Sequence, residues 1–365
     1  MMTHTHLLPD TRPYPDTPVK NDLLLYAHQI VANTGATQKL ARENLHSQIA
    51  NMFQLNHTLS LSVALNMVSS SEEYAAIMDE MAKVIDAKND EEQQWLALPV
   101  VVVVGSNQPC QLNNETPIAA LNKVFAQYEH LNVLSSTTWA KHLLTSEDFT
   151  HIKAEQWFNA KKDIATATQF LENLPNQALQ LTKTQSVNIL YAVGFAPKNV
   201  QAALAQNLRQ AAMSLMKVWQ DALGQENITL FANPLSPNNP ILALTQADTI
   251  RTQMALDVFS ANAIRNIRLQ SPRVGVIIAA QEGGNILFGF DNAEPTYDLP
   301  TQVFTWHLSP RDNIASIQQN FIDLMSDCQV ENIYVLHNAL PENSNLPSYH
   351  KAHEQEGHNP LFSNC

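Results

Sequence analysis

The chain has 365 residues, of which 45% are apolar and 15% charged, a balance that excludes a disordered segment and predicts two or three folded domains. Thirty-four acidic against 21 basic residues leave a net charge of -13, without the positive field that a nucleic-acid binder needs. Asn and Gln, at 34 and 28 residues, outnumber the acidic and basic residues together, so electrostatic steering of a charged partner is expected to be weak.

Residues 1–18 carry prolines at positions 9, 13, 15 and 18, which fix φ and remove backbone donors, and they predict an extended arm. Periodicity turns helical over 19–94. Leu24, Ala27, His28 and Val31 fall on one face, and Leu40, Leu45, Ile49 and Phe53 on another. Ser70 and Glu73 have capping-box spacing and open a helix with the stripe Tyr74, Ile77, Met78, Met81, Val84 and Ile85. Acidic residues crowd 71–94, and its end, 88–94, reads as a solvated linker.

A first α/β part is expected over 95–180. Its Val-rich run at 98–104 predicts a strand covered on both faces, as in a parallel sheet. Thr116 and Pro117 have N-cap and N1 chemistry for a helix through Tyr128, and 131–134 then reads as a second strand, which closes a βαβ unit. An Ala- and Gln-rich helical stretch occupies 153–174.

A second α/β part is expected over 186–340. The same order recurs there as strand 187–193, one long helix over 197–223 and strand 228–231. It recurs again as strand 303–308, a helix opened by Ser309, Pro310 and Asp312, and strand 333–336. Between these lie a long helix opened by a Thr245 and Asp248 capping box, and a hairpin of 274–280 with 286–290 turned through Glu282, Gly283 and Gly284. The hairpin makes its sheet mixed. Residues 341–365, rich in Pro, Asn, His and Ser, read as a polar tail. The expected fold class is α/β: a helical N-terminal region followed by two βαβ-containing parts with parallel or mixed sheets.

Chemistry has few sequence handles. Nine glycines form no GxG or GxxxxGK, and GxSxG, HExxH and DxDxDG are also absent, so no cofactor is indicated. Cys110, Cys328 and Cys365 match no disulfide or zinc spacing and predict thiols in a reducing compartment; Cys328 reads as a packing residue. No apolar run is long enough to span a bilayer, and the N-terminus has neither the basic nor the apolar region of a secretory signal, which makes the cytoplasm the expected location.

Ligands of open α/β sheets sit beyond the carboxyl ends of the strands, which singles out Gly105, Ser106, Asn107 and Cys110, then Gly194, Lys198 and Asn199, then His307, Ser309, Arg311 and His337. On neighbouring or near-neighbouring parallel strands, His307 and His337 would face one site, as a general base or as metal ligands. Ser106 and Cys110 are the candidate nucleophiles, with Asn107 and Lys198 as accompanying polar groups. The alternative is a pair of capping or half-buried histidines.

Arg251, Arg265 and Arg268 share one arc of a helix and, with Arg273, form either an anion-binding stripe or a solvated face. His350, His353 and His358, interspersed with Glu354 and Glu356 and followed by Cys365, are the candidate metal ligands of the tail. The apolar arc of 197–223, ending near Trp219, suits either a domain or subunit interface or a crossover helix.

The leading expectation is a non-catalytic binding or assembly protein that acts through protein contacts or a small uncharged ligand. The alternative is a cytosolic enzyme using His307 or His337. A protein partner or self-association is expected, with a small-molecule ligand as a further candidate, and no nucleic acid or membrane.

Overall fold

A computed structural model describes residues 18–87, 93–104, 110–112, 114–174, 179–181, 187–197, 204–224, 228–231, 239–281, 284–293 and 301–340. The chain forms two compact units, Met1–Ile85 and Asp86–Cys365. Mixed helix and strand follow a helical N-terminal region, in agreement with the expected fold class.

The first unit is built from α1 (Pro18–Ala32), α2 (Gly35–Gln54), α3 (Leu59–Met67) and α4 (Ser71–Ala87), the last of which ends just beyond it. The buried face of α1 is Leu23, Ala27 and Ile30, while Val31 and His28 are exposed, because an apolar run as dense as LLLYAHQIV fits more than one face. In α2 the stripe is Ala41, Leu45, Ile49, Met52 and Phe53, with Leu40 turned outward. Ser70 caps α4 by accepting from the Glu73 N–H at 3.2 Å; Glu73 in turn accepts from the Ser69 N–H and hydroxyl, one residue before the position that a capping box uses.

In the second unit, β1 (Gln93–Val104) lies at the centre of an antiparallel sheet. The chain continues through β2 (Cys110–Leu112), α5 (Ile118–Gln127), a 3₁₀ helix Glu129–Ser136, β3 (Thr138–Trp139) and β4 (Leu144–Thr145). It then passes through α6 (Ser146–Thr150), α7 (Ala154–Ala160), α8 (Ile164–Glu172) and β5 (Leu179–Leu181) to β6 (Val187–Pro197). After β6 come α9 (Leu204–Gln210), α10 (Ala212–Leu223) and β7 (Ile228–Phe231). The sheet order is β3-β6-β1-β7, with β4 also on β6, and β2 pairs separately with β5.

The second unit departs from several of the expected elements. Residues 131–134 are not a strand: Leu131 and Leu134 are three apart and point into the core from a 3₁₀ helix, whose repeat is three. The first βαβ unit therefore does not form. The run at 98–104 lies in a strand whose neighbours are both antiparallel, since burial on two faces leaves strand direction open. β6 and β7 do run in the same direction, but with β1 between them. β1 and β6, which come from the two expected α/β parts, lie side by side in this sheet. The single helix over 197–223 is two helices broken at Ala211, and Pro197 ends β6. Its stripe (Leu204, Leu208, Ala211, Leu215, Val218, Trp219 and Leu223) packs with Leu96, Leu98 and Val100 of β1, as the crossover reading requires.

On the opposite face of β1, Trp95 packs edge-on against Trp157 at 5.1 Å and Phe170 at 5.6 Å and lies 4.8 Å from Phe195, while its indole N–H donates to the Trp157 carbonyl. Gly194 in β6 admits the close approach of β3: a Cβ there would stand 2.6 Å from Thr137 Cγ2 and 2.8 Å from Trp139 Cε3.

The next element, α11 (Pro240–Arg268), starts at Asn239 rather than at Thr245, with Pro240 at its first turn. Then β8 (Val274–Gln281), β9 (Asn285–Asn292) and β10 (Gln302–His307) form an antiparallel meander, and α12 (Ile314–Asp327) returns the chain to β11 (Asn332–Leu340), which is parallel to β8. This mixed sheet has the order β10-β9-β8-β11. The expected hairpin is present, with Gly284 at φ 79° just before β9. Asn313, not Ser309 or Asp312, caps α12, accepting from the Ser316 N–H at 2.9 Å. Leu256, Ala263, Ile264 and Ile267 of α11 join Phe288, Phe290 and Phe321 in the core of this sheet.

Asn239 uses both ends of its amide, its oxygen accepting from the Ile241 N–H and its nitrogen donating to the Asp86 carboxylate, each at 3.0 Å. Replacing it with Ala is expected to cost about 1–2 kcal/mol in denaturant unfolding, with Ser recovering part because it keeps the cap. Gly194→Ala is expected to cost about 1–3 kcal/mol by overpacking β3, read as a lower midpoint at unchanged slope.

Candidate functional site

Two of the predicted residues, His307 and His337, lie on opposite edge strands of one sheet. His307 ends β10, exposed, with Nδ1 2.8 Å from Oδ1 of Asn285, its partner in register on β9. Asn285 donates in turn to Gln281 Oε1 of β8 at 3.4 Å. His337 lies on β11, at the other edge of the sheet. Three interstrand steps, about 14 Å, separate the two strands, so these histidines do not leave neighbouring strands. Hydrophobic periodicity carries no information on which strands intervene.

Gly105, Ser106, Asn107, Lys198 and Asn199 lie outside the described residues, as do His350, His353, His358 and Cys365. Cys110 opens β2. Among the described residues no group of three or more His, Cys, Asp and Glu is placed to hold a metal ion.

Arg311 pairs with Asp248 of α11 at 2.7 Å, and Arg251 reaches the same carboxylate at 3.5 Å. Ser309 donates its N–H and hydroxyl to Asp312, each at 2.8 Å. These groups fasten the loop after β10 to α11. Arg268 donates to the carbonyls of Cys328 and Gln329 at 2.8 and 3.1 Å, placing a cation at the C-terminus of α12, where the helix dipole favours one. Two arginines of the expected stripe, Arg251 and Arg268, are thus engaged locally. Arg265 and Arg268 also line an open groove of about 420 Å³ with Ala261, Ile264, Leu269 and Cys328. Cys328 packs partly against the sheet core.

A second group, in the N-terminal unit, was not singled out by sequence. Lys39, Arg42, Glu43, His46 and Ser47 recur at three- and four-residue steps on one face of α2, and Glu80 and Lys83 come from α4. Together they line an open groove of about 400 Å³. The Glu80 carboxylate is only 4% exposed; Oε1 accepts from Lys83 at 2.7 Å and Arg42 at 3.2 Å, and Oε2 lies 3.5 Å from His46 Nδ1. The available signal was the run of basic residues at helical spacing in α2, visible before its partners were known.

Burial perturbs two titratable groups of the second unit, Tyr191 and Asp257. Burial raises the Tyr191 phenol well above its ordinary value, the charge of Asp248 adding to it, while its hydroxyl donates to the Ala243 carbonyl. Burial also raises the Asp257 carboxyl, opposed by the Gln253 amide at 2.9 Å. No protein-family model matches the chain, and no curated protein or solved structure matches it.

A carboxyl raised on folding stabilises the fold when protonated and costs stability when ionised. Asp257→Asn is therefore expected to raise the melting temperature at neutral pH, the gain shrinking as the pH falls into the carboxylate range, as followed by calorimetry.

Proposed function

We propose that the protein is a non-catalytic binding and assembly protein whose N-terminal helical unit docks against another protein chain. The observation that carries this is where apolar surface lies. Of the eleven large apolar side chains exposed among the described residues, six (Leu25, Val31, Leu40, Leu55, Leu59 and Met67) belong to that unit, which supplies about a quarter of those residues. Leu25 and Val31 lie on one ridge of α1 at three-residue steps, with His28 between them. Apolar side chains gathered on helix surfaces gain free energy when a partner removes them from water, at roughly 25 cal/mol per Å².

The first partner to test is a second copy of the chain. Light scattering across a wide concentration range is expected to give a mass above the 40.7 kDa of one chain. The variant L25S/V31S/L59S is expected to keep its helical circular dichroism and return to the monomer mass. A monomer at every concentration that also captures no partner would overturn the proposal.

A further inference from the structure

The α2–α4 groove concentrates positive charge in a chain of net charge -13. Lys39, Arg42 and Lys83 stand against Glu43 and Glu80, leaving one positive charge in excess, or two with His46 protonated. The geometry shows how these cations are held together: the buried Glu80 carboxylate takes one N–H from Arg42 and one from Lys83. A guanidinium carries five N–H donors and an ammonium three, and Arg42 and Lys83 line the groove at 37% and 52% exposure, so each keeps solvent-accessible donors beyond the one that Glu80 takes. Glu43 neutralises little, being 61% exposed and 3.9 Å from Lys39.

We propose that this groove binds a phosphate-type oxyanion. Arg and Lys donors converging from two helices suit the several equivalent oxygens and multiple charge of a phosphoryl group, whereas a single carboxylate would use only part of the set. Glu80 acts as a positioning residue: its buried carboxylate lies between Arg42 and Lys83, reduces their mutual repulsion and ties both side chains to the lining of the groove. The volume of about 400 Å³ exceeds what a bare ion fills and lies within the range for small-molecule sites. The phosphoryl group could arrive as the free ion or on a small organic carrier.

The test is calorimetric titration of the full chain, at low ionic strength, with inorganic phosphate and with glycerol 3-phosphate, using glycerol and chloride as controls. Saturable binding of at least one phosphate probe, and of neither control, is expected. Tighter binding of the ester identifies an organic carrier; equal or tighter binding of inorganic phosphate identifies the free ion. The triple variant R42Q/E80Q/K83Q removes the buried carboxylate with its partners and is expected to weaken binding about tenfold or more.

Lys39→Gln leaves Glu80 untouched and is expected to weaken binding by about threefold, at unchanged circular dichroism. It decides the matter if the triple variant does not fold. Absence of saturable phosphate binding, or wild-type affinity in the folded variants, overturns the proposal.

Discussion

The second unit depends on one helix serving two sheets. At 29 residues α11 is about 43 Å long, enough to meet β6 near its start, where Tyr191 donates to the Ala243 carbonyl, and the β8–β9 face further on, through Leu256, Ala263, Ile264 and Ile267. A helix shared in this way transmits any error at one end to the core at the other. Its first turn is accordingly held by polar groups of fixed geometry. The Asn239 amide caps the helix and grips Asp86, whose carbonyl in turn accepts from the ammonium of Lys161. Lys161 is 0% exposed, and lysine is rarely so placed without partners, because removing an ammonium from water costs more than a lone contact returns.

The N-terminal unit follows the same rule with carboxylates. Glu73 and Glu80 are seven residues apart on α4, hence on one face, and both are almost fully buried. Burial opposes ionisation of Glu73, but the Ser69 N–H, His28 and the Ser69 hydroxyl outweigh it and hold its carboxyl below the ordinary value. The sign follows directly: the favourable contribution is present above the unfolded carboxyl value and is lost as the pH falls through the folded one. Glu73 and Glu80 differ in what surrounds them. Glu73 is satisfied by a capping turn and one histidine, whereas Glu80 collects two permanent cations and a histidine, more charge than its own neutralisation needs.

What was legible in the sequence was mostly local. The β8–β9 hairpin could be read because its turn residues and two apolar runs are adjacent, and the mixed character of its sheet followed. The common direction of β6 and β7 was legible from the helix between them, but the interposed β1 was not, since a partner some ninety residues upstream leaves no periodic trace. The break at Ala211 was hidden because the apolar spacing of 204–223 continues through it. The candidate site was less legible still. His307 and His337 were chosen from strand ends alone, and two strands intervene; the α2 face needed α4, more than thirty residues on, before its charges made a group.

Composition then acquires a structural meaning. Amides perform many of the tasks that ion pairs perform elsewhere: Asn239 and Asn313 cap helices, Gln253 holds Asp257, Asn285 links His307 to β8, and Asn33, Asn66, Asn173 and Asn262 donate to carbonyls one turn back. An uncharged amide supplies donor and acceptor together and carries no net charge to desolvate, so it can cross-link half-buried positions with a smaller penalty than an ion. In a chain that satisfies so much of its polar structure this way, permanent charges gathered beyond mutual neutralisation stand out. Arg251 and Arg311 share Asp248 away from the grooves, and Arg268 donates to the carbonyls at the end of α12. Arg42 and Lys83 share Glu80 in the same two-to-one way, but with Lys39 they line an open groove, so the charge group that ties α2 to α4 also borders space that a ligand can enter.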